Sequence, residues 1–140
     1  MTNPDKHIRK AVYNLTNNIV VDSKIIPCFD SRMAGNADVL NYILMTAQTK
    51  DVDKATKCGN RWETSLLIEI YCKSSAAGNS GSRLLLNDIE QAVTDLLNPK
   101  IVVEGFETLI QNITFENSLE TVTDTENVFR SFLRLNLTLI

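Results

Sequence analysis

The sequence predicts an α+β fold: an antiparallel or mixed β-sheet of about four to five strands, two helices packed on one face, and a long protruding hairpin. Three observations predict it. Residues 127–140 and 61–73 alternate apolar and polar side chains at a strict period of two. Two segments, near the N-terminus and in the middle of the chain, carry apolar stripes at helical spacing. The order along the chain is α, β, β, β, α, β, β, with the strands clustered around the second helix. At ~3.3 Å per residue, either long strand extends roughly 45 Å, whereas a compact chain of this length has a diameter of roughly 37 Å. Unless a bulge folds them back, the strand ends project, and projecting strands with open edges invite another chain. The pattern points to assembly.

The elements follow in order. Asn3 is placed to cap a helix, with Pro4 at its first position and Asp5 in the first turn, where the dipole favours an anion. Ile8, Ala11, Val12 and Leu15 form one stripe, so the helix covers residues 4–16 and ends at Asn17-Asn18. Residues 25–29 are extended, and Pro27, lacking an amide donor, belongs at a sheet edge or in a connection. Residues 31–38 read as loop, and 42–46 as a strand. Residues 50–60 read as a polar loop with Gly59-Asn60 as turn chemistry. In the next strand Trp62, Thr64, Leu66, Ile68, Ile70 and Cys72 share one face, with Trp62 as a buried anchor.

Residues 74–81 are a small-residue loop. It lacks the Gly-Lys-Ser/Thr ending of a phosphate-binding P-loop, so it reads as loop plus cap, with Ser80 or Ser82 as the cap. Leu85, Ile89, Ala92, Val93 and Leu96 are the buried stripe of the second helix, stopped by Pro99. Residues 101–103 suggest a short strand. Residues 108–119 form a further strand, joined by a polar turn at 121–125 to the last one. The whole chain, residues 1–140, is expected to form a single domain.

Composition narrows the function. Hydrophobic content of 44% and charged content of 22% are ordinary for a globular protein. The longest apolar runs, such as Leu84-Leu85-Leu86, are far too short to span a bilayer, and no membrane partner is expected. The N-terminus has no apolar signal region, and Cys28, Cys58 and Cys72 are an odd set without CxxC pairing, which suggests reduced thiols in a cytosolic product. His7 is the sole histidine and reads as a surface residue; it cannot by itself build a multi-histidine zinc site. Cys58 beside Lys57 lacks a neighbouring base for nucleophilic work, and Asp51 with Asp53 lacks the other ligands of a calcium loop. We expect no enzyme, cofactor, metal or catalytic residue.

A formal net charge of −3 disfavours sequence-reading of nucleic acid. Between 101 and 129 lie six acidic residues, Glu104, Glu107, Glu116, Glu120, Asp124 and Glu126, and no basic one. Residues 50–61 carry four bases, Lys50, Lys54, Lys57 and Arg61, against two acids. A chain so polarised could pair head to tail with its copies; solvated loops of unlike sign are the alternative. Arg130 and Arg134, either side of Phe132, could meet acids of a neighbour or DNA phosphates, or pair with Glu116 or Glu120 across the hairpin.

Several stretches taken together resemble a known family. They are Ile8-Arg9-Lys10-Ala11-Val12; the short proline-containing strand; Asn41-Tyr42-Ile43-Leu44-Met45; the Leu67-Ile68-Glu69-Ile70-Tyr71 strand running into a Gly/Ser loop; the Leu-x-x-Ile-x-x-Ala-Val-x-x-Leu-Leu helix; and Val128-Phe129-Arg130-Ser131-Phe132. This pattern resembles the tail-completion or tail-terminator proteins of tailed bacteriophages and related neck-ring proteins. Asn41 stands where those proteins often have proline, and Thr125-Glu126-Asn127 where they favour a glycine turn. The resemblance implies a structural virion protein at the head–tail junction, assembled in the host cytoplasm as a homo-oligomeric ring, hexamer or dodecamer. Its neighbours would be connector, portal-side and tail proteins, and double-stranded DNA would pass through the lumen. Lys50, Lys54, Lys57, Arg61, Glu116, Glu120, Asp124, Glu126, Arg130 and Arg134 are then candidates for the subunit joint or lumen wall. Rival readings are a dimeric regulatory binding module and a carboxylate-based metal-dependent enzyme.

Overall fold

The computed structural model describes residues 2–30, 40–53, 59–75, 83–122 and 126–140. Helix α1 (Asp5–Thr16) is followed by β1 (Ile19–Val21), β2 (Lys24–Ile26), β3 (Cys28–Asp30), β4 (Asn41–Asp53) and β5 (Arg61–Ser75). Helix α2 (Arg83–Leu97), β6 (Thr108–Val122) and β7 (Glu126–Leu139) complete the chain. The fold is α+β, as the alternation and stripes predict. Its main sheet has five strands in the order β3-β4-β5-β7-β6. All pairs are antiparallel except β3 with β4, so the sheet is mixed.

Helix α1 starts and stops on the expected residues. Asn3 Oδ1 accepts the Asp5 N–H at 3.0 Å, and Pro4 already has helical angles. The Asn17 N–H donates to the Tyr13 carbonyl, after which Asn18 turns left-handed at φ 57°. Ile8 and Val12 are buried. Helix α2 buries Leu85, Leu86, Ile89, Val93 and Leu97, and ends two residues before Pro99. Its stripe is rotated slightly from the expected one: Leu86 and Leu97 are buried, while Ala92 and Leu96 are only half-buried.

The helices cover one face of the sheet. There β5 contributes Leu66, Ile68, Ile70 and Cys72, each 0% exposed, and β7 contributes Leu133, Leu135, Leu137 and Leu139. The strict period of two makes this possible, because every second side chain reaches the same face. At about 1.5–3 kcal/mol per buried aliphatic side chain, this double row is the principal stabilising element. Trp62 is 7% exposed, an anchor at the end of that row. Ser131 interrupts it, and its hydroxyl is satisfied by the Glu90 carboxylate of α2.

Strands β5 and β7 stay in register from Trp62 opposite Leu139 to Ser75 opposite Glu126, whereas β6 reaches Val122 opposite Asn127 through two register shifts, between Thr108 and Ile110 and between Glu116 and Leu119. Fully buried residues on β7 stop at Ser131; Asn127 to Arg130 are only half-buried, and Phe129 still packs against the core opposite Cys72.

Four expectations are corrected. Residues 19–26 form an unforeseen hairpin, β1 with β2, turning on Asp22 and Ser23, both at positive φ. Strand β4 runs to Asp53, through residues read as polar loop, because Gln48 to Asp53 pair with Leu66 to Arg61 after a bulge. Likewise Ser74 and Ser75 belong to β5. Residues 101–103 are not a strand: Ile101 and Val103 are buried and Val102 exposed, but side chains hold the segment. The Ile101 N–H donates to Gln111 Oε1 at 2.8 Å, and its carbonyl accepts from Thr108 Oγ1 at 3.0 Å. Gly59 takes φ 121°, as a glycine turn requires. The expected loop at 31–38, the Ser80/Ser82 cap and residues 123–125 of the last turn lie outside the described residues.

Candidate interaction surfaces

One face of the sheet lies under the helices; the other carries a mixed row of aromatic and charged side chains. Register places Leu67, Glu69, Tyr71 and Lys73 of β5 there, beside Arg134, Phe132, Arg130 and Val128 of β7. Tyr42 of β4 stacks on Tyr71 with ring centres 4.9 Å apart and planes 9° from parallel. Lys73 Nζ lies 5.5 Å above the Tyr42 ring. Burial pushes the Tyr71 hydroxyl above its ordinary pKa, with the nearby Glu69 carboxylate adding to the effect. Nothing local in the sequence joins these residues; the β4–β5 register brings them together. Nearer the other end, a polar hollow of about 360 Å³ is lined in part by Lys50, Glu63, Asn112 and Asn136. There Asn136 Nδ2 donates to Asn112 Oδ1 and Thr114 Oγ1, both at 2.9 Å.

The charged candidates do not gather on one surface. Arg134 pairs with Glu116 across the hairpin at 3.0 Å and also reaches Ser65. Glu120 pairs with Arg83 of α2 at 2.7 Å. Glu104 lies 3.8 Å from Lys10 and 3.7 Å from His7 Nδ1. Three acids of the 101–129 stretch therefore find bases within the same chain. On the basic side, Lys50 pairs with Asp5 at 2.6 Å and Arg61 with Glu63 at 2.9 Å. Pairs this exposed stabilise by about 0–1 kcal/mol and can exchange partners. Arg130 donates to Thr121 Oγ1 at 3.5 Å, while its buried Nε has no hydrogen-bond partner. Lys54, Lys57, Cys58 and Asp124 lie outside the described residues, as does the side chain of Glu126.

His7 is not the surface residue expected. It is half-buried, 6.2 Å from the Phe106 ring, because the segment after α2 folds back over α1. Asp51 and Asp53 are exposed on β4. Among the described residues, no group of three or more His, Cys, Asp or Glu side chains is placed to hold a metal ion, and no helix is long and apolar enough to cross a membrane. Cys28 and Cys72 are buried free thiols. Desolvation raises both pKa values, that of Cys72 to about 12.

Strand β6 holds the features that sequence reading missed. It is an edge strand with Ile110 at 51% and Phe115 at 55% exposure. The available signal was that Thr108–Val122 contains no Lys, Arg or Pro, the residues that usually guard an edge.

No family model matches the sequence, and no curated protein matches it. Among solved structures, the chain is similar to a chain of the virion of a native gene transfer agent particle, with a TM-score of 0.63 at 12% identity. The match covers 99% of this chain and 99% of that one, so the two share their fold from end to end.

Proposed function

We propose that this chain is a structural subunit of a phage-like virion, forming a homo-oligomeric ring at the head–tail junction through which double-stranded DNA passes. The observation that carries this reading is the end-to-end fold similarity to a virion chain. The family resemblance in the sequence and the outer edge of β6, beside which no strand lies among the described residues, support it. A ring subunit needs two unlike contact surfaces, since a heterologous contact closes into a ring where a self-complementary one stops at a dimer. The sequence is acidic between residues 101 and 129 and richer in bases than acids over residues 50–61. Glu116, Glu120, Asp124, Glu126, Arg130 and Arg134, together with Lys50, Lys54, Lys57 and Arg61, are the proposed joint or lumen residues. Acids on a lumen wall repel phosphate, so DNA slides without being held.

Electron microscopy of the purified protein and of particles carrying it tests the proposal. Discrete rings with a central channel, and density for the chain between head and tail, are expected. A monomer or dimer at all concentrations, with no position in the particle, refutes it. Double reversal of Glu116 and Glu120 to Lys should weaken rings or retain DNA in the channel.

A further inference from the structure

We infer that the outer edge of β6 is completed by β4 of a second copy, so that the five-stranded sheet continues from one subunit into the next. This deepens the ring reading above and rests on it. Strand β6 has 15 residues, roughly 50 Å of chain, and pairs only with β7 on its inner side. Its other edge presents a row of backbone N–H and C=O groups with no strand beside them among the described residues. Ile110 and Phe115 stand on opposite faces of this edge strand, each more than half exposed. A strand laid alongside covers both at once. On the helix side, two adjoining hollows of about 240 and 260 Å³ share Thr94 and Phe115 and run between α2 and β6. They leave room for the side chains of an added strand.

The opposite edge of the same sheet supplies the partner. Strand β3 covers only Ile43, Leu44 and Met45 of β4. Arg9 then donates to the carbonyls of Met45 and Thr46, ending the protected stretch. Beyond it β4 continues to Asp53 with no strand on its outer side among the described residues. Residues 47–53 thus form a second open edge, roughly 23 Å long.

Charge selects between the two ways of joining edges. Pairing β6 with β6 of another copy brings Glu116 and Glu120 toward their counterparts, and like charges across strands are unfavourable. Residues 47–53 of β4 carry Lys50 beside Asp51 and Asp53, so a β6–β4 joint sets Glu116 and Glu120 against a mixed segment and is less repulsive than a β6–β6 joint. The β6–β4 contact is also heterologous, so it can propagate around a ring.

Hydrogen exchange of the full chain, followed by mass spectrometry below and above the assembly concentration, tests the inference. Amides in residues 110–116 and 47–53 should slow by about tenfold or more on assembly. The double variant Ile110→Lys/Phe115→Lys changes only exposed side chains, so it should keep its circular dichroism and lose the oligomer. An oligomer that forms while both segments exchange as in the monomer overturns this inference and leaves the ring reading standing. Protection of β6 without residues 47–53, or only on adding another virion protein, overturns the β4 assignment. Absence of any oligomer, alone or in particles, overturns both readings.

Discussion

Replacing Gln111 tests how the chain between α2 and β6 is held. Gln111 projects from β6 toward the C-terminal end of α2. Its Nε2 donates to the Leu97 carbonyl and, at 2.7 Å, to that of Pro99, while Oε1 accepts the Ile101 N–H at 2.8 Å. A single side chain thus serves the Leu97 carbonyl, which the helix end leaves unpaired, the Pro99 carbonyl beyond it and the Ile101 amide. Three bonds at about 1 kcal/mol each set a ceiling near ~3 kcal/mol. Water can replace the exposed one at Pro99, so Gln111→Ala should cost about 2 kcal/mol. For a chain of this length that is roughly a 7 °C fall in Tm. In urea, with a slope near ~2 kcal/mol/M, the midpoint should drop by about 1 M with the slope unchanged. Gln111→Met keeps the volume but none of the bonds, and should lose a similar amount. Gln111→Glu, measured at neutral pH, should do no better than Ala, because a carboxylate cannot donate to two carbonyls. A midpoint shift below about 0.3 M in both Ala and Met variants refutes the reasoning.

Other perturbations follow from the same structure. Val103→Ala should cost about 1–3 kcal/mol, whereas Val102→Ala should change stability by less than about 0.5 kcal/mol, since the two are 1% and 88% exposed; equal losses in denaturation would show that the segment does not alternate as described. Arg9→Lys should be nearly as destabilising as Arg9→Ala, roughly 2 kcal/mol, because an ammonium cannot fork between Asp30, Gln48 and the Thr46 carbonyl; full recovery by Lys in thermal melts counts against this. Cys28 and Cys72 should resist alkylation at pH 8 until the chain is denatured, read by peptide mapping. The raised Cys72 pKa also predicts that stability falls as pH climbs from about 9 toward about 12, because only the unfolded thiol ionises freely there. The Glu63 carboxyl is held below 4.5, chiefly by the Thr138 hydroxyl. Its stabilising effect is present above that pH and lost as acid protonates the folded form, so Thr138→Val should flatten the pH dependence of stability below 4.5; an unchanged slope would remove Thr138 as the cause.

The long strands were legible because their alternation is local and strict. Leu133, Leu135, Leu137 and Leu139 declare a buried face whatever lies above them, and all four are buried. The β1–β2 hairpin was missed because its strands have three residues each, too few for periodicity, although Asp22-Ser23 between β-branched neighbours is a turn signal. The polar residues Lys50 to Asp53 read as loop because strand propensity reflects packing, and their partners on β5 decide the matter. Conversely, Ile101, Val102 and Val103 have strand-like composition but no ladder to join.

What the sequence determined alone was which faces are apolar and where the helices stop, since periodicity, caps and prolines act within a few residues. Tertiary structure decided which charges meet. Glu116 finds Arg134, Glu120 finds Arg83 and Glu104 finds Lys10, so three of the six acids in a stretch that is uniformly acidic in sequence are paired with bases in space. It also decided that β6 is the strand left on the outside. Coulombic pairing and sheet order depend on distances between residues far apart in the chain, and only the folded register sets those distances.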